Sequence, residues 1–203
     1  MLIKKFDDNE SWMLERLTKI TGSRLKEIVV LRGTEEKVGF WKLIAERLAK
    51  PRDKDEKVME RGHNLEVEAV ELCEKELGVE FIKDLVLWER DDNSCIAISP
   101  DAYKADLTEA CEVKCLNSAE HIQCYYEKHW PEEYKFQFYQ YFIVNSDLQI
   151  LHVIMFDPSV IEKCQYIRFD ITREEVQEEV DRYLEYQRQK LEKVNSIVNE
   201  ISF

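Results

Sequence analysis

Halfway along the chain the apolar residues stop recurring every three or four positions and begin to alternate or to form short unbroken runs. VEFIKDLVLWE (79–89) and CIAIS (95–99), joined by the turn DDNS (91–94), and then LTEACEVKC (107–115), read as three strands of an antiparallel meander. Helical spacing surrounds them. It predicts helices at about 8–18, 22–31 and 35–49, a charged linker KPRDKDEK (50–57), and a long helix over 58–77 that ends at Gly78. Further helices are expected at 117–129 and 131–145, strands at 148–157 and 164–171, and a last helix from 173. This order describes an α/β fold, a mixed sheet flanked by helices.

At 203 residues the chain suits one domain. Residues 1–57 form its helical N-terminal part, 58–171 its core and 172–203 a C-terminal helix. The opening MLIKKFDDNE has acids where a secretory leader needs apolar residues, so a cytoplasmic protein is expected. Six scattered cysteines lack close metal-binding pairs and are expected to be reduced and mostly buried. His63, His121, His129 and His152 lack ligand spacing and read as structural or surface groups.

The net charge of −13 argues against a protein that coats nucleic acid by bulk attraction. Its distribution is uneven. Residues 1–57 hold 14 basic and 11 acidic side chains (+3), against 15 and 31 (−16) for the remainder, so a phosphate-facing surface is expected near the N-terminus.

Chemistry concentrates where the strands are most apolar. Asp101 follows the strand 95–99, and ten residues further on stands Glu112-Val113-Lys114. Strand geometry sends Glu112 and Lys114 to one face and Val113 into the core, and a turn between the strands lets Asp101 meet Glu112 across them. Two hard carboxylates suit Mg²⁺, with Mn²⁺ expected to substitute, and a nearby ammonium suits an attacking water: the equipment of phosphodiester hydrolysis. Asp101, Glu112 and the Val113 carbonyl are the candidate ligands, and Lys114 positions the nucleophile. The plain alternative is a solvated acidic strand, against which stands the apolar character of CIAISPD and ACEVKC.

Five elements occur in a characteristic order: Trp12-x-x-x-Arg16-x-x-x-Ile20-Thr21-x-Ser23, Gly62-x-x-x-Glu66, Ser99-Pro100-Asp101, Glu112-x-Lys114 and Tyr134-x-x-Gln137. In this the chain resembles the lambda-type phage recombination exonucleases of the PD-(D/E)XK superfamily, over about two thirds of its length. One position departs from that pattern: Ala102 stands where the family commonly has Gly.

The resemblance implies a 5′-to-3′ exonuclease that degrades one strand of a DNA duplex and leaves a 3′ overhang for recombination. It implies that Glu66 supports the metal site, that Arg16, Thr21 and Ser23 cradle the terminal phosphate, and that Ser99 and Gln137 lie near a phosphate. Arg32 falls near a basic position of the family. It further implies a homotrimeric ring around DNA and a single-strand annealing partner. The alternatives are an endonuclease with the same core and a catalytically silent scaffold that binds DNA ends. Thr21 and Ser23 also read as helix N-caps, Glu66 as a surface charge, and the aromatic run 134–142 as core or subunit contact.

Overall fold

The computed structural model describes residues 1–34, 36–48 and 57–202. Its strands β1 (Leu2–Lys5), β2 (Val86–Glu89) and β3 (Ala97–Ile98) form one antiparallel sheet. The second sheet runs β4 (Ala102–Tyr103), β5 (Glu109–Lys114), β6 (Ile150–Phe156) and β7 (Tyr166–Thr172). It is mixed, as expected, because β5 and β6 are parallel while the outer pairs are antiparallel. The β5–β6 crossover carries α5 (Ser118–Glu127) and α6 (Lys135–Val144).

Helix α4 (Lys57–Leu77) covers one face of this sheet, packing Ala69, Val70 and Cys73 against Cys111, Val113, Ile154 and Phe156. On the other side, α6 and α7 (Arg173–Ser202) close the larger core with α2 (Gly22–Ile28) and α3 (Val38–Leu48). β5 divides its residues between the two cores in strict alternation. Cys111 and Val113 join the α4 cluster, while Ala110 packs in the larger one.

The expected three-strand meander is not what forms. The stretch 79–89 contributes only β2 at its end, because the Glu74 carboxylate accepts the Phe81 amide (2.7 Å) and binds Lys83, diverting this segment from the ladder. Ile82 makes one isolated bridge, to Tyr103. The chain then changes sheets at Ser99-Pro100-Asp101, where Pro100 has no amide proton to give. β1 was not foreseen; it is too short to show an alternating pattern.

The second helix stops at Ile28 instead of 31, since Val29 is already extended and the β-branched pair Val29-Val30 favours that geometry. α1 (Asn9–Arg16) is capped by Asp8, which accepts from Ser11 N at 2.7 Å. α5 ends at Glu127, with Lys128 left-handed. The expected linker lies, but for Lys57, outside the described residues. Of the six cysteines, Cys73, Cys111, Cys124 and Cys164 are buried and all are free. Among the described residues no helix is long and apolar enough to cross a membrane.

Candidate active site

The site forms where β5 outruns its neighbour. β4 begins only at Ala102, opposite Cys111, so no strand residue faces Val113 on that edge. Asp101 fills the position with its side chain: its carboxylate accepts the Val113 N–H at 2.7 Å, while its own N–H bonds Cys111 O. The N–H and C=O of one strand residue point to the same edge. The Val113 carbonyl is thereby directed to the Asp101 side.

Glu112 is the hub. It is buried, and one oxygen accepts from Gln137 Nε2 (2.6 Å) and from Lys114 Nζ, the other from the hydroxyl of Tyr141. A carboxylate offers about four lone-pair directions, so these three donors leave one open. Burial lifts the Asp101 carboxyl well above the ordinary carboxylate range, and the charges of Glu112 and Glu66 add to the lift against Lys114 and the Val113 amide. Glu66, projecting from α4, therefore acts on the same site; its charge is also felt at Cys115.

Burial opposes the charge on Lys114, but Glu112 and Asp101 outweigh it and hold its pKa above the usual lysine value. The Lys114 ammonium also lies 5.3 Å from the Tyr134 ring. Tyr141 is pushed well above the usual phenol value, first by burial and then by Glu112 and Asp101, so it remains a donor.

Among the described residues no three His, Cys, Asp or Glu side chains stand close enough to cage a metal. A hard divalent cation of the Mg²⁺ type does not require that, since one or two carboxylates plus waters and substrate oxygens suffice. Two carboxylates, one of them in the field of the other, and a carbonyl on the Asp101 edge fit such an ion.

Arg16 completes the centre from the N-terminal side. Its guanidinium lies 4.0 Å over the Trp12 ring, and no hydrogen bond or ion pair to it is present among the described residues. Burial lowers its pKa from the usual arginine value while Glu112 and Asp101 oppose that. A cation held in this way is available to an anion. Thr21 occupies the N-cap of α2 but makes no side-chain cap bond, so its buried hydroxyl is not spent on the helix.

Other predicted residues fall elsewhere. The Ser99 hydroxyl accepts from Trp12 Nε1 (2.7 Å) and donates to Val86 O (2.5 Å), so it sits behind Trp12 as a support for the ring beneath Arg16. Ser23 is exposed, and Arg32 is exposed in the loop between α2 and α3, outside the contacts of the cluster. Gln137 Nε2 donates to Glu112 at 2.6 Å. Gly22 permits this, for a Cβ there would lie 2.9 Å from Gln137 Cγ and 2.4 Å from Ile98 Cδ1.

A model described as the YqaJ-like viral recombinase domain matches residues 11–147, a span holding every residue of this cluster. The chain belongs to that family. In solved structures, this YqaJ-like chain resembles an alkaline exonuclease, LHK-Exo, from Laribacter hongkongensis (22% identity, TM-score 0.79, 96% of each chain). The likeness extends to LHK-Exo in complex with dAMP (22%, 0.80, 95% of this chain and 96% of that). A phage-related exonuclease from Haemophilus somnus 129PT is more distant (15%, 0.62, 90% and 96%). No curated protein matches the chain. These likenesses establish the fold, which is that of the LHK-Exo structures.

Two features escaped the sequence. Tyr141 was read as one more core aromatic, although its place four residues after Gln137 sets both on one helix face and was the available signal. Nor could the sequence show how Ala102 sits: it has no left-handed backbone, and it packs in the cluster of Ala69, Val70 and Cys111.

Proposed function

We propose that this chain is a Mg²⁺-dependent exonuclease that degrades one strand of duplex DNA from its 5′ end, leaving a 3′ overhang for recombination. The observation that carries the reading is the gathering of Asp101, Glu112 and Lys114 where β5 runs past the end of β4, with the Arg16 guanidinium, which has no hydrogen-bonded partner among the described residues, in the field of the same two carboxylates. Asp101, Glu112 and the Val113 carbonyl would hold the cation, with Glu66 adding negative potential. When bound, such an ion lowers the pKa of a water and neutralises charge on the reacting phosphate.

The protein's own groups do the rest. Lys114 keeps its proton and orients the attacking water. Gln137 and Tyr141 fix the Glu112 carboxylate in one rotamer. Arg16 and Thr21 receive a phosphate close to the scissile bond, which supports attack from a phosphorylated strand end; the 5′-to-3′ sense itself follows from the family resemblance.

Assembly as a homotrimeric ring, with a single-strand annealing protein as partner, belongs to the same proposal. The charge skew supports it, since a basic inner channel would hold DNA that an acidic exterior repels.

Incubation with end-labelled linear duplex and Mg²⁺ tests the reading. Stepwise nucleotide release that Lys114→Ala slows by about a hundredfold or more, as loss of a transition-state charge contact does, is the expected result. No release, or equal release by both proteins, refutes it.

A further inference from the structure

The segment that carries Arg16 into Thr21 contains a strained residue. Thr18 has φ +66°, a left-handed conformation that a β-branched side chain resists. Such strain, of roughly 1–3 kcal/mol, persists only where the surroundings enforce it.

The enforcing groups come from α2 and α3. Glu46 accepts the Thr18 N–H at 2.9 Å, and Arg47 donates to the Thr18 carbonyl at 2.7 Å. Arg24 donates to the Lys19 carbonyl (3.1 Å) and forms a two-pronged pair with Glu46 (2.9 and 3.0 Å). Beyond the strained residue, the Ile20 amide bonds Cys95 O at 2.7 Å and its carbonyl accepts from Ala97 N. The buried Lys19 ammonium reaches Glu89 at 2.9 Å. Among the described residues, Glu46 is thus the side chain that bonds both the strained amide and the arginine fixing the next carbonyl.

The left-handed kink sets where Arg16, at the end of α1, stands relative to Thr21, at the start of α2, and these are the two groups offered to an anion.

We propose that Glu46 is a positioning residue for recognition of a terminal phosphate: through Thr18 and Arg24 it holds the Arg16–Thr21 segment in its phosphate-receiving shape. This rests on the reading of Arg16 and Thr21 given above. Glu46 itself touches no substrate, and its carboxylate would repel a phosphate, so its action must pass through the segment.

Binding of a duplex with 5′-phosphate or 5′-hydroxyl ends, measured in EDTA by fluorescence anisotropy, tests the assignment without turnover. Wild type is expected to prefer the phosphorylated duplex by about tenfold, the scale of one charge-assisted hydrogen bond. Glu46→Ala should bring that preference below about twofold while leaving affinity for the hydroxyl duplex unchanged. Glu46→Gln, which keeps an acceptor for the Thr18 amide, should retain part of it. Adding Thr18→Gly to Glu46→Ala should restore part of the preference, because glycine adopts the left-handed region without strain.

The assignment is overturned if wild type shows no preference, if Glu46→Ala keeps it whole, or if that variant loses both duplexes equally. Should Glu46→Ala not fold, the decision falls to Glu46→Gln, for which an undiminished preference overturns the assignment. Nucleotide release in Mg²⁺ reports separately on catalysis. The expected binding pattern without release leaves the clamp standing and refutes the nuclease, whereas release without the pattern refutes the clamp alone.

Discussion

Asp101 does two jobs that pull against each other. Its carboxylate stands in for a missing strand by accepting the Val113 amide, yet it is partly withdrawn from water and lies in the field of Glu112 and Glu66, and this lifts its pKa well above the ordinary range. An unfolded Asp loses its proton near about pH 4. Between that pH and the raised folded value, the folded metal-free protein carries an extra proton, so its stability falls as pH rises through this window. Denaturant unfolding in EDTA at a series of pH values should show that fall, and Asp101→Asn should flatten it. Over the same window Mg²⁺ affinity of the wild type should rise, because the cation displaces the proton; calorimetric titration showing affinity independent of pH would contradict this.

At the level of elements, the site depends on close approach of α2 to α6. Gly22 is the contact. Gly22→Ala places a methyl 2.9 Å from Gln137 Cγ, and although the Ile98 terminus can yield, the Gln137 stem must move with its amide, which bonds Glu112. The expected result is a loss of about tenfold or more in kcat, in keeping with the effect of a displacement near 1 Å at a reacting centre, with a change in melting temperature of only a few degrees. Steady-state kinetics beside thermal unfolding measures both.

The elements differ in how openly the sequence announced them. The helices α4 and α7 could be read because each repeats its period several times, and β6 and β7 because each is a seven-residue run rich in β-branched and aromatic residues. β3 and β4, two residues each, repeat nothing, so the change of sheet at Pro100 was invisible although both flanking motifs were plain. Asp101, Glu112 and Lys114 were legible as charges in apolar strands. Tyr141 was hidden among aromatics, and the Glu46 clamp could not be seen, because its function lies in a backbone dihedral at Thr18, 28 positions away.

For the molecule as a whole, the charge skew sets a condition on how DNA is met. A net charge of −13 disfavours approach from most directions, and a closed assembly with its N-terminal parts inward would relieve that. Sedimentation equilibrium at micromolar concentration is expected to give three times the 24.3 kDa of the chain; a monomer would contradict the ring. All of this presupposes one cation bound by Asp101, Glu112 and the Val113 carbonyl. Crystals soaked in Mn²⁺ and measured at its absorption edge put that to the most direct test. One anomalous peak about 2.1 Å from those three oxygens is the predicted result, lost in Asp101→Asn; a peak elsewhere, or none, would contradict it.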